Sequence, residues 1–253
     1  MQIKIADVPV MIRCKYPENV DFFRDYWTDA QELFAIEPKP ADLEQTQKDF
    51  ERMDEADGLP KYRRPKEFLE NTAIHALLAE KLIAYDVLLM HGSALCMDGQ
   101  AYIFTAKSGT GKSTHAKLWR ETFGERVWMV NDDKPMLQIG RDRVTVYGTP
   151  WNGKHELGRN ASAPLKAIVS LERSEGNHIA PISRTDAFPL LMRQCFSSKA
   201  PAMMLRIVEL EKRLLHAVDF YTMGCNMESK AARVAWKGLN APPAGEWKNE
   251  KNY

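Results

Sequence analysis

Hydrophobic and polar positions alternate along Ile3–Tyr16, a stretch rich in Ile and Val with Pro9 inside it. That period of two predicts one or two short edge strands. From Asp21 to Ile36 the apolar positions are mostly aromatic: Phe22, Phe23, Tyr26, Trp27 and Phe34, with Leu33 beside them. They predict core, or else a strand bordering a cleft. Pro38–Pro65 is charged, weakly periodic and carries four prolines. It reads as a surface connection, with a short helix near Ala41–Met53.

The rhythm then changes. Leu69, Ala73, Ile74, Leu77, Leu78 and Leu82 keep helical spacing and predict a helix from Pro65 to about Tyr85. Val87–Met90 is a short buried strand. Asp98-Gly99 stands between two apolar runs, one carrying Ser93–Cys96 and one at Tyr102–Phe104, which is a strong hairpin signal. Further strands are expected at Arg126–Val130, Met136–Ile139, Arg143–Tyr147, Leu165–Leu171, Ile179–Ile182 and Asp219–Met223. Helices are expected from Ser183 or Thr185 through Cys195, over Ala200–Ala217, and over Met227–Leu239 with Asn226 as cap. The methionines of the second of these are read as core filler. The remainder, 241–253, is polar and proline-rich and reads as a loose tail.

Composition narrows the class. The chain has 253 residues, 44% of them hydrophobic and 27% charged, with a formal net charge of +1. Nothing in that balance suggests a nucleic-acid partner. Cys14, Cys96, Cys195 and Cys225 stand apart, without metal or redox spacing, and are expected as reduced thiols. No apolar run approaches a membrane span and the first residues lack a signal-peptide pattern, so a cytoplasmic protein without a membrane partner is expected.

The chemistry is concentrated in one stretch. The apolar strand Tyr102-Ile-Phe104 leads into Ala106-Lys-Ser-Gly-Thr-Gly-Lys-Ser113 and then Thr114, where a helix begins. This is the P-loop (Walker A) pattern with Ala106 in place of the first glycine. Gly109 and Gly111 let the backbone turn its N–H groups toward an anion, and Lys107, Ser108 and Thr110 complete the cradle. Lys112 reaches the β- and γ-phosphates, and Ser113 offers a hydroxyl to Mg²⁺. The following helix adds the positive end of its dipole. About twenty residues later, apolar Val127–Val130 runs into Asn131-Asp132-Asp133-Lys134-Pro135. An acid at a strand end can hold Mg²⁺ in such a site. Adjacent acids on an extended chain point to opposite sides, so one can face the metal and the other the substrate.

A histidine before a hairpin, that loop and the paired acids together resemble the HPr kinase family, within the superfamily that includes ATP-dependent phosphoenolpyruvate carboxykinase. The closer resemblance is to a short HPr kinase-like branch, carried by His91-Gly-Ser93, Phe104–His115, Asn131-Asp-Asp-Lys-Pro135 and Gly148-Thr-Pro-Trp151 and covering about Glu70–Arg193. It implies an α/β fold of mixed α+β kind: a curved, mixed β-sheet with the P-loop, flanked by helices. The expected organisation is a small strand-rich or irregular segment at 1–65, a P-loop kinase-like domain at 66–240, and the tail. Ala106 departs from the family glycine, which a small residue can replace. The Gly-Leu-Gly-Ile-Ile-Asn-Val segment of true HPr kinase/phosphorylases has no counterpart, nor has their large N-terminal domain. Neither HPr as substrate nor the reverse phosphorolysis therefore follows.

The expected mechanism is transfer of the γ-phosphoryl group of ATP–Mg²⁺ to a serine-like hydroxyl on a small protein, a peptide or a metabolite. Lys112 stabilises the transferring group, Ser113 and Asp133 position Mg²⁺, and Asp132 accepts the hydroxyl proton; the two acids can also exchange roles. By the resemblance His91 lies beside the acids; alternatively it pins the hairpin. Lys154 and Arg159 are candidate cations on the acceptor side, or solvated surface charges. Trp151 stacks on a substrate or packs its loop, and His115 falls on the helix surface or just behind the site. The resemblance leaves room for a homo-oligomer. Two other readings compete: a nucleotide-binding regulatory module with little catalysis, and a carboxykinase-like reaction on a keto acid, which calls for more cationic ligands and a longer chain.

Overall fold

The computed structural model describes residues 1–241; the expected tail lies outside them beyond Ala241. Ala6 and Asp7, both at positive φ (50° and 61°), turn β1 (Gln2–Ile5) back onto β2 (Val8–Ile12). After α1 (Glu18–Phe22) and a 3₁₀ turn at Arg24–Tyr26, β3 (Phe34–Ile36) joins β2 in parallel to complete a three-stranded sheet. The aromatic stretch is thus divided between two faces. Phe23 and Tyr26 are core, while Phe22 and Trp27 are exposed.

Within the connection expected at 38–65, the helix expected near Ala41–Met53 is present as α2 (Pro40–Ala56), longer at seventeen residues. Its periodicity is weak because it buries almost nothing apolar. Local polar devices support it: Asp42 accepts the Lys39 N–H (2.7 Å), and Gln45 and Gln47 bond Asp49 and Glu51 one turn on (both 2.8 Å). Pro40 sits in the first turn, where its missing donor costs nothing. The helix of the 65–85 stretch is α3 (Lys66–Leu82), as spaced. Its buried Glu70 accepts the N–H groups of Lys15 (2.7 Å) and Tyr16 (3.1 Å) and the Asn19 amide (2.8 Å), pinning the N-terminal segment to it. One hydrophobic cluster runs from Ile3, Ile5 and Val10 through Phe23 to Ile74, Leu78 and Trp151.

β4 (Val87–Leu89) follows, then the hairpin of β5 (Ser93–Met97) and β6 (Gln100–Thr105), with Asp98 and Gly99 both at positive φ as a tight two-residue turn requires. After α4 (Lys112–Phe123) come β7 (Val127–Asn131), β8 (Met136–Ile139), β9 (Val144–Tyr147), β10 (Ser162–Arg173), β11 (His178–Pro181), α5 (Arg184–Gln194), α6 (Pro201–Ala217), β12 (Asp219–Cys225) and α7 (Lys230–Leu239). They build a nine-stranded mixed sheet ordered β4-β8-β9-β10-β6-β5-β7, with β12 also on β10 and β11 on β12. One face packs α5 and α6 through Leu190, Leu191, Ile207, Leu210 and Leu214. The other packs α4 and α7 through Trp119, Ala116, Ala231 and Ala235.

β10 starts three residues before the expected Leu165, because Ser162–Pro164 pair antiparallel with β9 before the strand enters the parallel pair with β6. Ser183, not Thr185, caps α5 by accepting the Asp186 N–H. The last helix begins at Lys230 rather than Met227: Asn226 bonds the Glu228 N–H (3.1 Å) and so closes a turn ahead of it instead of capping it. Among the described residues no helix is long and apolar enough to cross a membrane.

Candidate functional site

Strand direction gathers the site. β6 and β7 both run antiparallel to β5, and β10 runs parallel to β6, so the carboxyl ends of β6, β7 and β10 share one edge. Loops at that edge of a parallel set are the usual ligand position in α/β sheets. The Ala106–Gly111 loop leaves β6 there, Asp132 and Asp133 leave β7, and Arg173 closes β10. Gly109 and Gly111 take φ of 75° and 123°, and a Cβ on either would meet nothing within 4 Å, so backbone conformation and not crowding demands glycine. Arg173 bonds the Gly109 carbonyl (2.7 Å) and holds the loop from the neighbouring strand. α4 opens at Gly111 with no side-chain cap and no acid in its first turn, leaving its N–H groups and dipole toward the loop.

These pieces enclose a cavity of about 860 Å³. Ser108, Gly109, Gly111, Lys112, Ser113 and Thr114 form one wall, and Asp132, Asp133 and His91 another. Gly153, Lys154, His155 and Leu157 line it from the loop after β9, and Lys117 and Arg120 from α4 complete the lining. Ala106, Lys107 and Thr110 belong to the loop but do not line the cavity; Ala106 is buried and its carbonyl is 3.4 Å from the Lys112 ammonium. Burial lowers the Lys112 amine from its usual range against the opposing pull of Asp133. The Arg120 Nε is shielded from solvent and has no partner. Four cations (Lys112, Lys117, Arg120, Lys154) face two carboxylates. An anion fits this donor set, because the loop and the four cations border one cavity.

The acids are set by Asn131. Its Oδ1 accepts the N–H groups of Asp133 (2.8 Å) and Lys134 (2.6 Å), and its Nδ2 reaches the Thr149 carbonyl (3.1 Å) and Asn152 Oδ1 (3.2 Å). Asn131 is fully buried and ties the acid loop to Gly148–Gly153. Asp132 is nearly buried, and its Oδ1 accepts the Gly153 N–H (2.7 Å). A Cβ at Gly153 would stand 3.2 Å from the Asp132 carboxylate, so a small residue there permits the approach. Asp133 is more open; His91 Nε2 lies 3.2 Å away and Lys134 Nζ 3.7 Å. Burial works to raise the Asp133 carboxyl, but the His91 hydrogen bond and the charges of Lys134, His91 and Lys112 outweigh it and hold it below the usual carboxylate range. Among the described residues no group of three His, Cys, Asp or Glu side chains could hold a metal unaided. Asp132, Asp133 and Ser113 fit Mg²⁺, which is commonly held by one or two carboxylates together with substrate phosphates.

Two expected site residues lie elsewhere. Trp151 and Arg159 line a second, adjoining groove. Trp151 is packed rather than free to stack on a ligand: it is 9% exposed, touches Phe22, Phe23 and His75, and donates its indole N–H to Asn71 Oδ1 (2.7 Å). Arg159 sits over the Trp128 ring at 5.3 Å. His115 is not on the helix surface. It is buried against Phe104 and accepts the Trp119 indole N–H (3.0 Å), and burial pushes it down to about 4. Arg120, Lys117, Arg173 and the organising role of Asn131 were missed by sequence. Lys117 and Arg120 had a signal, lying one and two turns beyond Ser113 on the same helix; Arg173 had none.

No protein-family model matches the chain, and no curated protein matches its sequence. Among solved structures it is similar to the Hpr(Ser) kinase/phosphatase from Coxiella burnetii, at 9% identity over 59% of this chain and 94% of that one, with a TM-score of 0.35. A likeness of that degree assigns nothing to individual residues.

Proposed function

We propose that the protein is an ATP- and Mg²⁺-dependent kinase that phosphorylates a hydroxyl. The observation that carries this reading is one cation-rich cavity in which Lys112, Ser113 and Arg120 meet both aspartates. In this reading the loop amides and Lys112 hold the polyphosphate, and Arg120, Lys117 and Lys154 balance its charge. Ser113 and Asp132 would hold Mg²⁺, which when bound neutralises charge on the β- and γ-phosphates. Asp133 receives the hydroxyl proton.

That division reverses the roles expected from sequence. It is favoured because Asp133 alone of the pair borders both the cavity and the adjoining groove, whereas Asp132 borders only the cavity. A carboxylate held below its usual range is a weak base, so Asp133 acts chiefly by orienting the hydroxyl, with His91 fixing the carboxylate. Positioning and electrostatics carry most of the catalysis in phosphoryl transfer. Calorimetric titration with Mg–ATP tests the reading. Lys112→Ala should weaken binding by about tenfold or more, the worth of one charge-assisted contact; unchanged affinity would overturn it.

A further inference from the structure

The second groove, about 790 Å³, adjoins the cavity at Asp133 and opens toward the N-terminal segment. Its character is opposite. Glu18, Asp25, Glu67 and Glu156 line it together with Asp133, against only Lys134 and Arg159. Among the described residues no Lys or Arg pairs with Glu18, Asp25, Glu67 or Glu156. Exposed aromatic rings line it with these acids: Phe22 (39% exposed) and Phe68 (46% exposed). The His75 ring lies 4.5 Å from Trp151 with its Nε2 shielded and unpartnered. The groove is also rigidly framed, since Asn71 bonds both Trp151 and Asn19, and Asn19 bonds Glu70.

Carboxylates without cationic partners, in one groove with exposed aromatic rings, are what a cationic side chain binds. Glu18, Asp25, Glu67 and Glu156 lie on four separate segments (α1, the 3₁₀ turn, α3 and the loop after β9) rather than focused on one point, which suits an extended chain more than a small molecule. We propose that the acceptor is a polypeptide segment lying in this groove, with a basic residue among the carboxylates and rings and a hydroxyl presented to Asp133. This rests on the kinase reading above. In the step, the hydroxyl oxygen bonds the γ-phosphorus of the nucleoside triphosphate as the bond to the β–γ bridging oxygen breaks. The diphosphate leaves with that electron pair, and the hydroxyl proton passes to the Asp133 carboxylate.

The test uses degenerate peptide pools with a central serine and one flanking position at a time fixed as Arg or Glu, incubated with γ-labelled Mg–ATP. Arg-fixed pools should be labelled roughly tenfold above Glu-fixed pools at one or two positions, the ratio that one cation–aromatic or charge contact supplies. The Glu18→Lys/Glu67→Lys variant should invert that order while its Mg–ATP affinity and thermal midpoint stay at the wild-type value. Fluorescein-labelled pools should follow the same order in nucleotide-free anisotropy titrations. Equal labelling of both pools, or an Arg preference that the charge reversal leaves in place, overturns the proposal. Mg–ATP turnover with no peptide labelled also overturns it, pointing to a small-molecule acceptor and leaving the kinase reading intact. Failure of the wild-type protein to bind Mg–ATP overturns the kinase reading, and this inference with it.

Discussion

Two concavities meet at Asp133, and they are electrostatic opposites. The cavity beside the Ala106–Ser113 loop is ringed by Lys112, Lys117, Arg120 and Lys154, while the neighbouring groove sets five carboxylates against two cations. Their origins differ as much as their charge. The loop, the helix start and most of the first cavity come from one contiguous stretch, with the acids a short way on. The groove is assembled from residues between Glu18 and Asn160 that share no local pattern. In the proposed kinase, the first surface would take the polyanion and the second would repel it. A single carboxylate on their common border is where the two substrates could meet.

The comparison can be broken most severely at the cationic end. Lys112→Ala should lower phosphoryl transfer about a thousandfold, as removal of a preorganised electrostatic partner does, while leaving peptide-pool binding to the groove unchanged; a radiolabel transfer assay reads the first and anisotropy the second. A smaller effect, but on both sides at once, is expected of Asn131→Ala. It strips buried hydrogen bonds from the acid loop and from Gly148–Gly153, and should cost about 2–3 kcal/mol in urea unfolding and reduce both nucleotide and peptide affinity.

Two histidines, His115 and His75, are held neutral, and pH separates them from ordinary surface histidines. His115 is pushed down to about 4 and His75 to about 3, each chiefly by burial. The unfolded chain therefore binds protons near pH 6.5 that the folded protein does not, and stability falls as pH drops from 6.5 toward 4. Glu211, buried and raised to about 7, works in the opposite sense between pH 4.5 and 7. The difference between wild type and His115→Gln is thus the informative quantity. Between pH 7.5 and 4 the variant should lose less stability than wild type, by on the order of 3 kcal/mol; parallel pH profiles would contradict the buried, neutral assignment. The smallest contrast is between two exposed cations. Lys154→Ala should weaken Mg–ATP binding about fivefold, whereas Arg159→Ala, on the groove side, should leave it unchanged.

Much of this was legible in sequence, for physical reasons. The Asp98-Gly99 turn, the β6–loop–α4 passage and the strand ending in Asp132-Asp133 are local features, in which neighbouring residues determine the backbone. The mixed sheet flanked by helices was expected from the resemblance these segments carry, and the hairpin agrees with it. Illegible features depended on pairing across distance. α2 differs: a helix near Ala41–Met53 was legible, and only its full length, Pro40–Ala56, went unmarked because it buries almost nothing apolar. Trp151 and Arg159 were expected beside Lys154 because they are near it in the chain, yet the turn at Gly153, which bonds Asp132, divides them between two concavities. His115 is buried only because Trp119, one turn on, and Phe104, on another element, close over it.

The account is tested most directly by a crystal structure with a non-hydrolysable ATP analogue and Mg²⁺. It predicts the triphosphate against Lys112 and Arg120, with its terminal phosphate at the border marked by Asp133 and the acidic groove left open. Analogue density in the acidic groove, or a triphosphate out of reach of both aspartates, would contradict it.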